Sequence, residues 1–459
     1  MFDIIIIGGG PGGYAAAIRA SQLGGKVALI ESGQIGGTCV NRGCIPSKIW
    51  MRSAHLLKQI KGAEAFGIRA EVQNVDFAAI IERKNGVAND IRMGMESLLG
   101  KNRVNVISGR AVLRNRRSVE VDGAVHETRK VIIAAGSRMD VPDIKGLEDC
   151  AVTTNEVFDM KTVPSSVLIW GAGAIEVEMA TLLNLMGAKV TIAMESQRIL
   201  PREDGDTGQR LGQALRSDGV EILARHTLKS VRKSKSGFIC QLSAKEDREV
   251  EVEVEQVLVG ARRPNTSHLG LESIGVRIKE DGGIQVNDRL ETTINGIYAV
   301  GDAAGGWMLS HAASAMGIVA AENAMGKPSK FPFELIPRGI WTIPQVGAVG
   351  LSEEEAEDQG YEVEVGDFPY PINGLAMAQD QLTGAVKIIS DSRYGKILGV
   401  HVVGAQAVEL VGQAVLAMQL ESTVGELAKN IAVHPTFSET LVEASRDAAQ
   451  WALYLPPGT

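Results

Sequence analysis

The stretch DIIIIGGGPGGYAAAIRASQLGGKVALIE, residues 3–31, predicts an apolar strand, a glycine-rich turn, a helix of small residues and a second strand. We place the strands at residues 4–7 and 27–30 and the helix at residues 15–23. The turn has G-x-G-x-x-G spacing through Gly8, Gly10 and Gly13. The first glycine allows a sharp turn, the second lets the backbone approach a pyrophosphate, and the third lets helix and strand pack closely. Glu31, which ends the second strand, suits a ribose hydroxyl. The stretch therefore predicts a parallel α/β sheet that binds a dinucleotide.

A second unit of this kind is SSVLIWGAGAIEVEMATLLNLMGAKVTIAMES, residues 165–196. Its strand is predicted at residues 167–170, and its turn glycines are Gly171 and Gly173. Its helix is predicted from Ala180 onward. Glu176 replaces the third glycine, and Met194 stands where the acid is expected, one residue before Glu195. A carboxylate at Glu176 repels a pyrophosphate, caps the helix, or faces solvent beside an intact site. These alternatives stay open.

The bulk properties set limits on the class of protein. A chain of 459 residues accommodates about three domains. Its net charge of −8 argues against a nucleic-acid partner, because phosphate binding needs clustered Lys and Arg. The apolar run near the N-terminus is too short for a signal peptide, and no run approaches a membrane span, so we expect a cytoplasmic protein without membrane contact. The histidines show no metal-ligand spacing with the cysteines, so we expect no metal site.

Two of the four cysteines lie in GGTCVNRGCIPSK, residues 36–48. From the residues alone, a structural disulfide, a metal site and a redox pair are all open for Cys39 and Cys44. Pro46 favours a helix whose first turn contains Cys44. At a helix N-terminus the free N–H groups and the dipole stabilise a thiolate and lower its pKa. Four cysteines do not make a disulfide framework in a chain of this length, so a redox or catalytic role gains weight.

Three further stretches complete the pattern. TRKVIIAAGSR (128–138) predicts a buried strand that runs into a glycine turn, and TTINGIYAVGDAAGG (292–306) predicts a strand that ends near Asp302. An Asp at a strand end suits a sugar or ribitol hydroxyl. HPTFSE (434–439) lies near the C-terminus. In this order, and with the cysteine stretch, these pieces resemble the pyridine nucleotide–disulfide oxidoreductases, which are flavoproteins with two dinucleotide sites.

The resemblance implies an α/β fold with two Rossmann-like dinucleotide-binding domains, one for FAD and one for NAD, and a C-terminal α/β dimerisation domain. It implies four segments. Residues 1–145 are the first part of the FAD domain, 146–265 the NAD domain, 266–335 the second part of the FAD domain and 336–459 the dimerisation domain. The last segment follows GKPSKFPFELIPRG, which is typical of a linker. An obligate homodimer is implied as well.

The resemblance also implies catalytic roles. Cys39 and Cys44 form a redox disulfide, with Cys39 meeting the substrate and Cys44 facing the flavin as a thiolate. His434 acts as acid and base in the active site of the other subunit, and Glu439 orients it. An imidazole suits this role because it titrates near neutrality. Lys48 lies beside the flavin.

The implied cofactor-binding residues form two groups. The FAD group is Gly8, Gly10, Pro11, Gly12, Gly13, Glu31, Gly37, Thr38, Lys48, Ala111, Ala135, Gly136, Asp302, Met308 and His311. The NAD group is Gly171, Gly173, Ala174, Ile175, Glu178, Glu195 and Ala261. Within the NAD group, Glu178 is the expected partner of Lys48.

Four stretches narrow the substrate by resemblance: RILP (198–201), RRPNT (262–266), GLSEEEA (350–356) and ILGVHVVG (397–404). They are similar to members that oxidise protein-bound dihydrolipoyl groups with NAD⁺. The implied partner is a lipoylated carrier protein of a 2-oxo acid dehydrogenase, glycine cleavage or related complex. Two alternatives remain: an NAD(P)H-dependent reductase of another small disulfide, and a flavoprotein with an altered nicotinamide site that passes electrons to a protein partner.

Departures from the family pattern motivate both alternatives. Trp50 follows the cysteine stretch, where it either reshapes the dithiol channel or packs against the dimer partner. Glu176, Met194 and Ala261 are three changes around one nucleotide site. We therefore predict ordinary FAD binding and weakened or unusual NAD binding. NAD is favoured over NADP because Glu195 repels a 2′-phosphate.

Overall fold

The computed structural model describes residues 1–244 and 248–456. Its first part contains β1 (Phe2–Ile7), α1 (Pro11–Gln22), β2 (Val27–Glu31), α2 (Gly37–Arg42), α3 (Cys44–Gly62), α4 (Phe77–Lys101), β3 (Asn105–Ser108), β4 (Ala111–Asn115), β5 (Ser118–Val121), β6 (Ala124–Ile133) and β7 (Ser137–Met139). Strands β3, β2, β1 and β6 pair in parallel in that order, and β5 and β4 extend the sheet antiparallel. In β1, Ile4 and Ile6 pack on one face and Ile5 and Ile7 on the other. A run of four isoleucines fits this strand because both faces of a parallel sheet are covered.

The second part forms a separate parallel sheet. It contains β8 (Ala151–Thr153), α5 (Thr154–Val157), β9 (Ser166–Trp170), α6 (Ala174–Leu185), β10 (Lys189–Met194), α7 (Gly205–Ser217), β11 (Glu221–Ala224), β12 (Thr227–Lys233), β13 (Phe238–Ser243), β14 (Glu249–Val254), β15 (Gln256–Val259) and β16 (Arg262–Pro264). The parallel order is β11-β10-β9-β15-β8, while β12, β13 and β14 form an antiparallel sheet. Strand β16 pairs antiparallel with β7, so the chain enters and leaves this part through adjacent strands.

Both turn helices begin earlier than predicted. Helix α1 begins at Pro11 and α6 at Ala174, so the predicted starts at residue 15 and Ala180 were wrong. Each helix follows directly on an extended turn glycine, Gly10 or Gly173. Pro11 adds to this at the first helix, because its fixed φ suits the first helical position.

The third part returns to the first sheet with β17 (Ile297–Ala299), which pairs in parallel with β6, and then forms α8 (Ser310–Ala324). Helices α1 and α8 approach closely at Gly12 and Gly317, where a Cβ atom on Gly317 would collide with the Gly12 carbonyl oxygen. This contact brings the start of α8 next to the first glycine turn.

The last part contains β18 (Arg338–Ile340), β19 (Gln345–Gly350), α9 (Glu353–Asp358), β20 (Val363–Pro369), α10 (Gly374–Ala378), β21 (Ala385–Asp391), β22 (Ile397–Gly404), α11 (Ala407–Gln419), α12 (Val424–Leu427) and α13 (Ser438–Ala448). Its antiparallel sheet has the order β18-β19-β22-β21-β20. In the ranges that the structure describes, no helix is both long and apolar enough to span a membrane.

Buried ion pairs join the second part to the last. Lys387 of β21 is 5% exposed and lies 3.2 Å from Asp204 and 2.7 Å from Asp206 of the second part. It also lies 2.6 Å from Glu353, within the last part. Arg338 of β18 lies 2.9 Å from Glu203, and both side chains are buried. Because Glu203 and Asp204 lie just before α7, these pairs hold the second nucleotide unit against the antiparallel sheet.

Candidate active site

The cysteine pair lies where two helices meet. Cys39 is in α2, and α3 begins at Cys44, as the sequence predicted. Both cysteines are free thiols, so the structure shows the dithiol form of the pair. The Cys44 sulfur lies 3.2 Å from the Ser310 hydroxyl oxygen, at the start of α8. Two adjacent helices and a third that lies 266 positions away therefore converge on one sulfur atom.

The two thiols differ in acidity. The pKa of Cys44 is lowered to about 6, chiefly by the hydrogen bond with Cys39, with further help from the Ser310 hydroxyl and the Lys48 charge against the effect of burial. The pKa of Cys39 is raised, first by its hydrogen bond with Cys44 and then by burial. At neutral pH the pair therefore consists of a Cys44 thiolate and a neutral Cys39 thiol. A thiolate is the reactive form of cysteine.

An ion pair connects α3 to the second nucleotide unit. The amino group of Lys48 lies 2.9 Å from Oε2 of Glu178, and both side chains are partly buried. The other carboxylate oxygen of Glu178 accepts a hydrogen bond of 2.8 Å from the backbone N–H of Trp341. The Lys48 amino group also lies 5.5 Å from the centre of the Trp341 ring. The structure thus places Lys48 beside the partner that the family resemblance implies.

A continuous cleft of about 1390 Å³ connects the two glycine turns with the cysteine pair. Most of the predicted site residues line this cleft. On the FAD side they are Gly8, Gly10, Pro11, Gly12, Glu31, Gly37, Thr38, Lys48, Ala111, Ala135, Gly136, Asp302, Met308 and His311. On the NAD side it is lined by Gly173, Ala174, Ile175, Glu178 and Ala261. Three predicted residues do not line the cleft: Gly13, which is buried, Gly171, which is partly buried, and Glu195, which is exposed at the end of β10.

The first half of the cleft fits FAD. Glu31 accepts hydrogen bonds of 2.6 Å from the Gly9 N–H and 2.7 Å from the Gly33 N–H, which fixes its carboxylate at the mouth of the first turn. Gly10 and Gly37 pass so closely that a Cβ atom on Gly37 would lie 2.7 Å from the Gly10 Cα atom. This bare backbone beside a helix N-terminus is the kind of cradle in which a pyrophosphate binds.

Asp302 lies in a polar cluster at the other end of this half. It accepts a hydrogen bond of 2.7 Å from Ser137 and pairs with Arg262. The Arg262 guanidinium also donates to the Ser137 hydroxyl. Sequence reasoning quoted the stretch that contains Arg262 but gave that residue no role, because its partner is 40 positions away.

The second half of the cleft differs at Glu176. This side chain is only 6% exposed, so the interpretation of a solvent-facing Glu176 was wrong. Its carboxyl group lies beside the turn glycines Gly171 and Gly173 and lines the cleft. Burial raises the pKa of Glu176, and backbone N–H groups at Glu176, Gly173 and Gly260 oppose that rise. A dinucleotide that binds this turn therefore meets a carboxyl group where the first unit has a glycine.

Trp50 does not line the cleft. It is 1% exposed and packs edge to face on Phe77 and Phe158, with ring centroids 4.8 and 5.5 Å apart. Both interpretations of Trp50, as part of a dithiol channel and as a contact with a dimer partner, were wrong, because it fills the core between α3, α4 and the second nucleotide unit.

The predicted acid–base pair lies in the last part of the chain. Nδ1 of His434 lies 2.9 Å from Oε1 of Glu439, and the His434 side chain is 79% exposed. Neither residue lines the cleft that contains Cys39 and Cys44. An exposed, oriented imidazole outside its own chain's cleft is the arrangement expected if it serves a second copy of the chain.

Among residues 1–244 and 248–456, no three His, Cys, Asp or Glu side chains are grouped to hold a metal ion. Ser310 is the residue at the cysteine pair that sequence reasoning missed. It lies 266 positions from Cys44, and no local motif marks it.

Comparisons with known proteins agree with this geometry. The family model for pyridine nucleotide-disulphide oxidoreductase matches residues 2–317, and the model for the dimerisation domain of these enzymes matches residues 336–445. The dihydrolipoyl dehydrogenase of Thermus scotoductus is 38% identical over 459 residues, which covers 99% of each chain. The crystal structure of LpdA from Mycobacterium tuberculosis has 27% identity and a TM-score of 0.87, covering 97% of this chain and 99% of that one. The Cu(II) complex of the HOCl-induced flavoprotein disulfide reductase RclA from Escherichia coli has 26% identity and a TM-score of 0.85, covering 97% and 98%.

Proposed function

The chain belongs to the pyridine nucleotide–disulphide oxidoreductase family, and on that premise we propose that it is a dihydrolipoyl dehydrogenase, an enzyme that oxidises protein-bound dihydrolipoyl groups with NAD⁺. It uses FAD and NAD as cofactors. The observation that carries the proposal is the asymmetric cysteine pair, a low-pKa Cys44 beside a neutral Cys39, at the start of α3. FAD, when bound, supplies the two-electron carrier between this pair and the pyridine nucleotide.

The thiol chemistry follows from this asymmetry. A substrate thiolate attacks the Cys39 sulfur of the Cys39–Cys44 disulfide, so a bond forms to Cys39 and Cys44 leaves as a thiolate. Cys44 is the better leaving group because its pKa is the lower of the two. The second substrate thiol then attacks the substrate sulfur bonded to Cys39, which closes the lipoyl disulfide and releases Cys39. Two electrons pass to the cysteine pair, one proton stays on Cys39, and one is left for a base.

We assign that base to His434. Its contact with Glu439 orients the ring, which leaves the other ring nitrogen available to accept a substrate proton. Because His434 is outside the cleft of its own chain, we place it in the active site of the partner subunit. The match to the dimerisation domain indicates a homodimer.

The proposal extends to the partner and the compartment. We propose that the substrate is carried by a lipoylated protein of a 2-oxo acid dehydrogenase, glycine cleavage or related complex, and that the enzyme works in the cytoplasm. The alternatives, a reductase of another small disulfide and a flavoprotein serving a protein partner, are not favoured, since relatives that match this chain over nearly their full length are dihydrolipoyl dehydrogenases.

An anaerobic titration of the FAD-containing protein tests the proposal. Dihydrolipoamide in one cuvette and NADH in another are added while the long-wavelength thiolate–flavin absorption is followed. Both reductants are expected to raise that absorption, and Cys44→Ser is expected to abolish it with both. Failure of dihydrolipoamide to raise it in the unmodified protein would overturn the substrate assignment.

A further inference from the structure

Glu176 lies inside the second glycine turn. It is the third residue of α6, and its side chain turns back under the helix start. A Cβ atom on Gly171 would lie 3.1 Å from Oε1 of Glu176, and one on Gly173 would lie 2.9 Å from Oε2. A Cβ atom on Gly260, just after β15, would collide with Oε1. Three glycine backbones therefore enclose this carboxyl group at the cleft end of the second sheet.

The first nucleotide unit serves as an internal reference. There Gly13 holds the corresponding position, and a Cβ atom on it would collide with the Gly8 carbonyl oxygen. The first turn of α1 carries no acidic residue. The first turn is thus closed by backbone alone, whereas the second has opened around a side chain that ends in an acid.

The Glu176 carboxyl group is not compensated by a cation. Within the described ranges it forms no ion pair, and the shift of its pKa comes from burial and from backbone N–H groups, without a basic side chain. Among the charged groups that line the same cleft, Glu178 pairs with Lys48, Arg262 with Asp302 and Glu203 with Arg338, and Arg202 packs on the Trp307 ring. Arg42 and Arg110 also line the cleft and do not contribute to the pKa shift of Glu176. A buried acid without a cation is stable when protonated and costly when ionised.

A dinucleotide brings two phosphate charges to such a turn, and like charges in a partly desolvated cleft repel strongly. The N–H groups at Gly173 and Glu176 that face the carboxylate belong to the helix start that otherwise receives a pyrophosphate. We propose that Glu176 is an acid gate of the second nucleotide site, which excludes NAD(H) when the carboxylate is ionised and admits it when the carboxyl group is protonated. This inference rests on the proposed function for the identity of the nucleotide.

The gate predicts that nucleotide binding takes up a proton. Calorimetric titration of the FAD-containing protein with NAD⁺, in buffers of different ionisation enthalpy from pH 6 to pH 9, measures affinity and proton uptake together. We expect the affinity to rise as the pH falls. In Glu176→Gln we expect about tenfold tighter binding at the alkaline end, the equivalent of one pKa unit, and no proton uptake from this site.

Two further variants keep the test decisive. Glu176→Gly restores the glycine of the first unit and should also bind NAD⁺ more tightly. It keeps the test possible if Glu176→Gln does not fold. Glu148→Gln removes an exposed carboxylate outside the cleft and should bind as the unmodified protein does. Equal affinity of Glu176→Gln, Glu176→Gly and the unmodified protein across the pH range would overturn the gate, as would binding without proton uptake in the unmodified protein.

The same preparations separate this inference from the proposed function. Reduction by dihydrolipoamide does not need the second nucleotide site, and it is measured in the unmodified protein and in Glu148→Gln, where it should be equal. If dihydrolipoamide reduces neither while the NAD⁺ affinities change as expected, the substrate assignment fails and the gate stands.

Discussion

The amino group of Lys48 lies 2.9 Å from the carboxylate of Glu178, although 130 positions separate the two residues. Lys48 lies one turn after Cys44 in α3, and Glu178 lies in the first half of α6. The two charges act on the Cys44 thiolate with opposite sign, since Lys48 lowers its pKa and Glu178 raises it. The ion pair therefore joins the cysteine helix to the nucleotide unit and also balances the acidity of the thiol.

Replacing Lys48 and replacing Glu178 should shift the pKa of Cys44 in opposite directions. Lys48→Met should raise it and Glu178→Gln should lower it, each by up to about one unit. The thiolate–flavin absorption of the two-electron-reduced protein, titrated with pH, reports this pKa. A shift in the same direction in both variants would contradict the balance.

Ser310→Ala should raise the pKa of Cys44 by about one unit, because a hydrogen bond to a charged acceptor is lost. The thiolate exists above its pKa, so the midpoint of the thiolate–flavin absorption should move upward from about 6, and the signal near that pH should fall. Ser310→Thr retains the hydroxyl and should restore the midpoint. An unchanged midpoint in Ser310→Ala would show that the hydroxyl does not act on the thiolate.

His434→Gln should slow the reduction of the protein by dihydrolipoamide about 10²–10⁴-fold, the usual loss for a general base, and leave reduction by NADH unchanged. Rapid mixing with each reductant measures the two reactions separately. If His434 serves the partner subunit, co-expressed Cys44→Ser and His434→Gln chains should regain activity as mixed dimers, because one of the two sites is then intact. Inactive mixed dimers would place His434 in the site of its own chain.

Trp50→Ala should lower the free energy of unfolding by about 3–5 kcal/mol, because it empties a buried site between Phe77 and Phe158. Trp50→Phe should cost less, since the indole N–H has no partner among the residues described. Neither should change the Michaelis constant for dihydrolipoamide. A changed Michaelis constant with unchanged thermal stability would return Trp50 to the substrate path.

Lys387→Met should destabilise the protein by about 3–5 kcal/mol, because it leaves Asp204 buried without its cation. The matched control is Lys330→Met, which breaks the exposed pair with Asp288 and should leave the stability nearly unchanged, because solvent screens that pair. Thermal unfolding of both variants, with flavin content checked, measures the difference. Equal losses would show that burial does not set the strength of the Lys387 pairs.

Sequence reasoning succeeded where the determinant is local. The glycine turns, the strand that ends at Glu31 and the helix that begins at Cys44 depend on residues a few positions apart. It failed where the position of a side chain depends on residues far away in the sequence. Glu176 is buried because Gly260, 84 positions later, leaves space for its carboxyl group, and Ser310 reaches Cys44 because α8 packs on α1. The position of Trp50 likewise depends on Phe158, which belongs to another part of the chain.

The paired strands β7 and β16 have a mechanical consequence. A unit attached through a single strand swivels about that strand, whereas one that is entered and left through two hydrogen-bonded strands resists torsion. In this pair Ser137 lies opposite Pro264 and Met139 opposite Arg262. The two paired strands therefore form a stiff connection that resists rotation of the second nucleotide unit. It keeps the second nucleotide unit in register with the cysteine helix while substrates come and go at either end of the cleft.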